Sequence, residues 1–311
     1  FSEAANIKGK NPCVSHQTFV EKLSEGFEWG EQIPASEFSK AKGSEMELYH
    51  AKKDGKPLIA KVYPVENIKN FRSPFREAIV LNDLKEHPGI VDFLCCIAEP
   101  QTVILIIEEL RGNLLEDLHV FSRKSWENKL DMLILITQTL QAIHKTDRIH
   151  GDIKLNNIMF TRNRKSLKLI DFGFSVHIRS DVKGWTIVYA APEVIKAKIL
   201  PEKEKVLAAL PAQDVWSWVL TIIFALFEKS YTKAKAVHKK YYPNDSQRFM
   251  YKPQYIKVIK KEILDISKKT GLPFNTYISN LIQVNEEQRP KMDDIIDALT
   301  FLSKRAQKKG I

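Results

Sequence analysis

Three polar side chains that could take part in one reaction lie close together near the middle of the chain. Asp152, Lys154 and Asn157 fall within His150–Asn157, between a predicted helix and a predicted short strand. If this loop curls, they offer a general base, a cation for a phosphate and an oxygen ligand for a hard metal ion. Taken alone, the pattern is short enough to be ordinary loop chemistry, so it needs support from elsewhere in the sequence.

A further carboxylate follows the end of an apolar strand. Asp171 begins the tripeptide Asp171-Phe172-Gly173, directly after the predicted strand Leu167–Ile170. A carboxylate in this position is suited to hold Mg²⁺ against a polyphosphate. The tripeptide alone does not separate a metal ligand from an ordinary loop.

A lysine ends an apolar strand in the first third of the chain. Lys61 follows Leu58-Ile59-Ala60, a setting in which an unpaired buried charge would be costly. Glu77 lies on the next predicted helix and could be its partner. A plain surface ion pair is the alternative interpretation.

Together these residues resemble the motif set of the eukaryotic-type protein kinase family, over roughly residues 35 to 305. Leu58–Lys61 resembles the V-A-I-K strand, with Glu77 as its pairing glutamate. The other resemblances, in chain order, are His150–Asn157 to H-R-D-x-K-x-x-N, Asp171–Gly173 to D-F-G, Ala191–Glu193 to A-P-E, Asp214–Ser217 to the helix that anchors the catalytic loop, and Arg289 to the arginine that pairs with Glu193.

The resemblance implies roles in phosphoryl transfer from ATP. Lys61 would hold the α- and β-phosphates and be oriented by Glu77. Asp171 and Asn157 would bind Mg²⁺, with Mn²⁺ as an alternative ion. Asp152 would orient the substrate hydroxyl and accept its proton, and Lys154 would neutralise charge on the γ-phosphate.

The resemblance also implies an adenine site and a substrate class. Adenine would hydrogen-bond to the backbone at Glu108 and Leu110, with Ile107 as gatekeeper and Ala60 above the ring. Lys154, two residues after Asp152, resembles the Ser/Thr-specific pattern, and Thr186 resembles the threonine that Ser/Thr kinases use beside the substrate.

Two departures from the family pattern bear on activity. Ala41, Gly43 and Met46 occupy the three glycine positions of the phosphate-binding loop, so Gly43 alone retains the glycine that lets backbone N–H groups approach phosphates. Gly151 stands where the family has an arginine that meets a phosphorylated activation loop. This substitution suggests activity that does not wait for phosphorylation of that loop, whose hydroxyls are Ser175, Ser180 and Thr186.

The elements that must position these residues predict an α+β, bilobal fold. Residues 1–30 form an extension with a short helix around Gln17–Leu23, residues 31–110 a β-rich lobe and residues 111–311 a mostly helical lobe, as one kinase domain over about 31–305. Asp54-Gly55 predicts a hairpin, the apolar spacing predicts a helix over Trp126–His144, and Val215–Phe227 reads as a buried helix. A charged insertion covers Ile199–Lys205.

Composition limits the remaining classes. The 311 residues are 44% hydrophobic with a net charge of +10, which excludes a disordered chain. Three cysteines, Cys13, Cys95 and Cys96, do not suggest a disulfide framework, and a reduced cytoplasmic setting is expected. The apolar run Val215–Phe227 has 13 residues, which is too short for a membrane span. The lysines of Lys233–Lys240 indicate a solvated face rather than a nucleic-acid site.

Two functions from different classes stay open. The first is a Ser/Thr protein kinase acting on a protein substrate. The second is a pseudokinase that binds a regulatory partner, favoured by the altered phosphate loop. A small-molecule kinase of the same fold is a minor option, and a P-loop NTPase is excluded because G-x-x-x-x-G-K-[ST] does not occur.

Overall fold

The computed structural model describes residues 26–34, 46–64, 68–99, 102–182, 184–186, 188–199, 207–228 and 253–311. Several features named from the sequence lie outside these residues: Cys13, Gly43, the predicted helix Gln17–Leu23, the cluster Lys233–Lys240 and residues 200–205 of the predicted insertion. The chain divides into two compact units. The first runs to Asp83 and includes Asp92–Glu109, and the second comprises Leu84–Val91 and Leu110–Ile311.

The first unit is a five-stranded sheet with one helix. The strands are β1 (Glu28–Ile33), β2 (Glu47–Lys53), β3 (Lys56–Pro64), β4 (Phe93–Glu99) and β5 (Thr102–Glu108), and the helix is α1 (Ile68–Asp83). The strand order is β1-β2-β3-β5-β4, and every neighbouring pair is antiparallel. β1 begins before residue 31, where the β-rich lobe is predicted to start. Ile90, three residues before β4, belongs to the second unit and forms an isolated parallel bridge with Leu169 of the same unit.

The hairpin predicted at Asp54-Gly55 is present between β2 and β3. Both turn residues have positive φ, 51° at Asp54 and 71° at Gly55. A two-residue turn with both central residues in the left-handed region matches the right-handed twist of the strands that it joins.

The two faces of β3 have different environments because side chains alternate along a strand. Leu58, Ala60 and Val62 belong to one buried cluster. Tyr63 packs on the other face, in a cluster that includes Ala78 of α1. Lys61, one residue from Ala60 and two from Tyr63, therefore shares the face of Tyr63 and the helix.

The second unit is mostly helical, as predicted. Its helices are α2 (Leu118–Ser122), α3 (Trp126–Lys145), α4 (Pro192–Ile199), α5 (Pro211–Leu226), α6 (Pro253–Thr270), α7 (Phe274–Tyr277) and α8 (Met292–Lys309). Its short strands are β6 (Arg111–Asn113), β7 (Arg148–Ile149), β8 (Ile158–Phe160), β9 (Leu167–Leu169) and β10 (Val176–His177), paired as β6-β8-β9 and β7-β10. The two units together make the bilobal α+β fold of the prediction.

Helices α3 and α5 form the centre of the second unit. Ser125 caps α3 by accepting a hydrogen bond from the N–H of Asn128, which satisfies one donor of the first turn. Trp218 of α5 is fully buried and donates its indole N–H to Thr137 of α3 at 2.9 Å. In the part of the chain that the structure describes, no helix combines the length and the apolar character needed to cross a membrane.

Candidate active site

In the first unit, Lys61 and Glu77 form the ion pair that the sequence predicts. The Lys61 Nζ lies 2.6 Å from the Glu77 Oε1, and the two side chains are only 10% and 3% exposed. A third residue takes part, because the Tyr63 hydroxyl donates to the Glu77 Oε2 at 2.8 Å. Both oxygens of a buried carboxylate are therefore bonded, which offsets much of the cost of burying its charge.

The structure corrects the placement of Ala60. Ala60 is fully buried in the cluster of Leu58 and Val62, on the face of β3 opposite Lys61. Ala60 therefore does not lie beside Lys61 above an adenine ring. Ile59, two residues before Lys61, is the strand residue that shares the face of the lysine.

Glu108 ends β5, and Leu110 begins the longer of the two segments that form the second unit. The Glu108 N–H donates to the carbonyl of Asp92 at 2.9 Å, and its side chain accepts from the Asp92 N–H at 2.7 Å. The Glu108 N–H is thus already used, so an adenine could bond only to its carbonyl.

In the second unit, one buried carboxylate holds the backbone of the loop that contains Asp152. Asp214 of α5 accepts from the N–H groups of His150 at 2.7 Å and Gly151 at 2.9 Å. His144 of α3 lies 3.0 Å from the same carboxylate. Nothing in the residues around His144 predicts this contact, because its partner is 70 residues away along the chain.

Asp214 is ionised in the fold although it is fully buried. Burial by itself raises the pKa of Asp214, but the hydrogen bond and charge of His144 and the bond from the Gly151 N–H outweigh it, so the pKa lies below its ordinary value of 3.8. A charged Asp214 is the stronger acceptor for the two backbone N–H groups.

His150 connects the loop to the segment that carries Asp171. Its Nδ1 accepts from the Asp152 N–H at 3.2 Å, so its Nε2 carries the proton and donates to the carbonyl of Ile170 at 3.1 Å. His150 is fully buried against the ring of Phe172. It is therefore a core histidine that orients the loop.

The side chains of Lys154 and Thr186 meet at the carboxylate of Asp152. The Lys154 Nζ lies 2.6 Å from the Asp152 Oδ2, and the Thr186 hydroxyl donates to the Asp152 Oδ1 at 2.6 Å. The Lys154 Nζ also lies 3.1 Å from the Thr186 hydroxyl. Asp152 is 4% exposed, and the structure brings together the base, the cation and the threonine named from the sequence.

Asn157 and Asp171 could supply oxygens to a metal ion. The amide nitrogen of Asn157 donates to the Asp152 carbonyl at 2.8 Å, which leaves the amide oxygen as the atom for a cation. The N–H of Ile170 donates to the Asn157 carbonyl at 2.9 Å, so the segment before Asp171 runs beside Asn157. Asp171 has φ 64°, in the left-handed region that few non-glycine residues adopt and in which functional residues are enriched.

This donor set is incomplete as a protein-only metal site. Among the described residues, no group of three or more His, Cys, Asp or Glu side chains is arranged around a common point. One carboxylate and one amide oxygen fit Mg²⁺, which keeps several waters and takes its other ligands from the phosphates of a substrate.

The predicted ion pair between Arg289 and Glu193 is confirmed. The guanidinium donates to both carboxylate oxygens at 2.7 and 2.6 Å and to the carbonyl of Ala212 at 2.7 Å. This bidentate pair attaches the start of α4 to the start of α5. Nearby, the Ser217 hydroxyl donates to the carbonyl of Tyr189 at 2.8 Å.

Ser175 has a structural position that sequence reasoning missed. It is fully buried and donates to the carbonyl of Ile149 at 2.6 Å. Ser175 therefore fastens the segment after Asp171 to the strand before His150, and it does not belong with the accessible hydroxyls of the activation loop.

The chain belongs to the protein kinase family. The family model described as Protein kinase domain matches residues 41–301, most of the chain. Serine/threonine-protein kinase D3 of Mus musculus is 28% identical over 259 residues, covering 78% of this chain and 26% of that protein. Serine/threonine-protein kinase ppk25 of Schizosaccharomyces pombe (strain 972 / ATCC 24843) is 30% identical over 150 residues, covering 46% of this chain and 33% of that protein.

The name of a third relative includes a second domain besides the kinase. The "Protein kinase and PP2C-like domain-containing protein" of Arabidopsis thaliana is 26% identical over 201 residues, which cover 55% of this chain and 30% of that protein. The chain thus spans a third or less of the length of these curated relatives.

Proposed function

We propose that this protein is an ATP-dependent protein kinase that transfers the γ-phosphate of ATP to serine or threonine hydroxyls of a protein substrate. The observation that carries the proposal is the cluster of Asp152, Lys154 and Thr186, in which the carboxylate is bonded to both of the others. A carboxylate beside a lysine can receive the proton of a hydroxyl while the lysine neutralises charge on the phosphate.

The proposal gives one role to each of four residues of the second unit. Asp152 orients the substrate hydroxyl, and Lys154 stabilises the negative charge of the transferring phosphate. Asp171 and the amide oxygen of Asn157 hold Mg²⁺, or Mn²⁺ in its place. The ion supplies charge neutralisation at the phosphate oxygens.

The residues of the first unit bind and orient the nucleotide in this proposal. Lys61, fixed by Glu77, holds the α- and β-phosphates. The Glu108 carbonyl and the backbone of Leu110 bond to adenine, and Ile59 takes the place that was assigned to Ala60. Gly43 is proposed as the remaining glycine contact of the phosphate loop.

The proposal includes activity without activation-loop phosphorylation. A kinase that waits for a loop phosphate needs a cation beside its catalytic aspartate to receive it, and Gly151 has no side chain. The loop of Asp152 has its own anchor, because Asp214 bonds to two of its N–H groups. We expect the unphosphorylated protein to have its full turnover.

We further propose that the kinase domain covers about residues 31–305, with lobes 31–110 and 111–311 after an extension over 1–30, and that the protein acts in the cytoplasm. A pseudokinase bound to a regulatory partner is the second candidate function. The side chains of Ala41 and Met46 favour it, since they hinder the approach of backbone N–H groups to phosphates.

The experiment is transfer of radiolabelled γ-phosphate from ATP to a generic basic protein in the presence of Mg²⁺. We compare the wild type with Asp171→Ala and with Asp265→Ala, an exposed aspartate of α6. We expect transfer by the wild type and Asp265→Ala and its loss in Asp171→Ala. Transfer by all three would refute the metal role of Asp171. No transfer by any, with no shift of the melting temperature on adding ATP and Mg²⁺, would refute the kinase and favour the pseudokinase.

A further inference from the structure

Tyr63 holds the Lys61–Glu77 pair from the same strand that carries the lysine. The hydroxyl of Tyr63 bonds to one oxygen of Glu77 at 2.8 Å, and the Lys61 Nζ bonds to the other at 2.6 Å. Tyr63 follows Lys61 by two residues on β3, so strand alternation places both side chains on one face. The motif set named from the sequence does not include this tyrosine.

Tyr63 contacts Lys61, Glu77 and other residues of α1, the helix that carries Glu77. Its ring centroid lies 5.7 Å from the Lys61 Nζ, within the range of a cation–π interaction. The ring also packs in a cluster with Phe75 and Ala78 of α1, the helix that carries Glu77. The tyrosine thus joins the strand, the helix and the ion pair by contacts inside one unit.

The second bond matters because the carboxylate is buried. A single bond from Lys61 leaves Glu77 free to rotate about its last torsion, which is broad for a carboxylate. The Tyr63 hydroxyl fixes the plane of the group and also satisfies an oxygen that has little access to water. Loss of that donor would leave a buried charged acceptor with one fewer bond, at a substantial penalty.

We infer that Tyr63 is a positioning residue that keeps Glu77 on Lys61 without a separate activating event. This inference rests on the proposed function, since the pair would orient ATP for transfer. It adds a means by which the first unit holds the orienting geometry on its own, whatever the phosphorylation state of the second unit.

The first test is steady-state kinetics of Tyr63→Phe, which removes the hydroxyl and keeps the ring. We expect kcat to fall about three- to tenfold, less than a full charged hydrogen bond would allow because Lys61 still holds Glu77. KM for ATP should change less than kcat. Every molecule of the variant keeps Lys61 to bind ATP, but in a fraction of the molecules Lys61 is misaligned for the transfer step. The matched control is Tyr49→Phe, which removes the bond from Tyr49 to Glu47 at 3.0 Å on the other face of the sheet.

The second test does not use kinase activity. Lys61 is 8% exposed, so an amine-acetylating reagent reaches it only when the pair opens. Mass spectrometry of the nucleotide-free protein measures the rate of Lys61 acetylation, and we expect this rate to rise in Tyr63→Phe and not in Tyr49→Phe. The melting temperature of each variant confirms that it is folded.

The outcomes separate this inference from the proposed function. Faster acetylation with a lower kcat supports a positioning role for Tyr63. Unchanged acetylation overturns the inference, whether or not kcat falls, and so does faster acetylation with an unchanged kcat. If the wild type transfers no phosphate yet Tyr63→Phe speeds acetylation, the hold on Glu77 is supported and the proposed function fails.

Discussion

In the first unit, side chains hold Lys61, whereas in the second unit a buried carboxylate, that of Asp214, holds backbone groups of the loop that contains Asp152. Lys61 depends on Glu77 and Tyr63, two side chains from one helix and one strand. Asp152 follows His150 and Gly151, whose backbone N–H groups donate to Asp214. On its other side in the sequence, the amide nitrogen of Asn157 donates to the backbone carbonyl of Asp152.

The difference predicts different responses to mutation. A change in a side-chain contact of the first unit alters orientation while the sheet keeps its ladders. A change in the anchor of the second unit removes partners from buried N–H groups, and this costs folding free energy as well as activity. The predictions below test this contrast, beginning with the anchor.

Asp214→Ala should have the largest effect. The change leaves the N–H groups of His150 and Gly151 and the ring of His144 without their shared acceptor, in a region that is almost fully buried. We expect the free energy of unfolding to fall by about 3–5 kcal/mol, as when a buried charged partner is removed. Urea denaturation at pH 7 measures it, and a loss below 1 kcal/mol would contradict the role of the anchor.

The pH dependence of Asp214→Asn isolates the charge of the anchor. Because the pKa of Asp214 is lower in the folded protein than its ordinary 3.8, its ionisation stabilises the fold above that pH, and this contribution is lost as the pH falls below it. The difference in unfolding free energy between wild type and Asp214→Asn should be constant near neutral pH and shrink toward acid. A difference that grows toward acid would show the opposite sign of shift.

Gly151→Ala should have an intermediate effect. Gly151 has φ 82°, and a Cβ at this position would lie 2.8 Å from the carbonyl oxygen of Phe174. The matched control is Gly55→Ala, at φ 71° in the hairpin of the first unit, where nothing lies within 4 Å. Both variants carry the left-handed cost of about 1–2 kcal/mol, so a larger loss in Gly151→Ala measures the contact with Phe174. Equal losses would mean that the loop moves aside freely.

The sequence predicted the site best where a motif and a local pattern coincide. Asp54-Gly55 gives a two-residue hairpin because only a few residue types accept two positive φ angles in succession. Lys61 and Glu77 are predictable as a pair because a charge that ends an apolar strand needs a partner. Ala60 was misplaced although the alternation of a strand, applied from Lys61, assigns it to the other face.

Contacts between distant segments could not be predicted in the same way. His144 meets Asp214, and Ser175 meets the carbonyl of Ile149, only because helices and loops pack together in the second unit. Nothing in the residues beside His144 distinguishes it from a surface histidine. Tyr63 is different, since alternation from Lys61 would have put it next to Glu77, and only its absence from the motif left it unnoticed.

The smallest predicted effect is a gain in stability at Lys129 of α3, which is buried to the same degree as Lys61. Among the described residues no carboxylate pairs with it, and its Nζ lies 3.6 Å from the Trp126 ring centroid and 3.4 Å from the Ser122 carbonyl. Burial therefore lowers the pKa of Lys129 from 10.5 to about 8, so at pH 7 the fold bears a poorly compensated charge. Lys129→Met should raise the free energy of unfolding by about 1–2 kcal/mol, below the value implied by the shift because the contacts of the ammonium are lost too.

The pH dependence of Lys129→Met has a definite sign. The destabilising charge is fully present below the folded pKa of about 8 and is removed as the pH rises toward 10.5, so the advantage of Met should shrink across that interval. Lys145→Met, at the exposed end of the same helix, is the control and should show neither the gain nor the pH dependence. Thermal unfolding from pH 7 to 10 measures both variants. If Lys129→Met destabilises the protein at pH 7, the contacts of Lys129 with Trp126 and Ser122 compensate its buried charge. The second unit would then stabilise a buried lysine as well as the first unit stabilises Lys61.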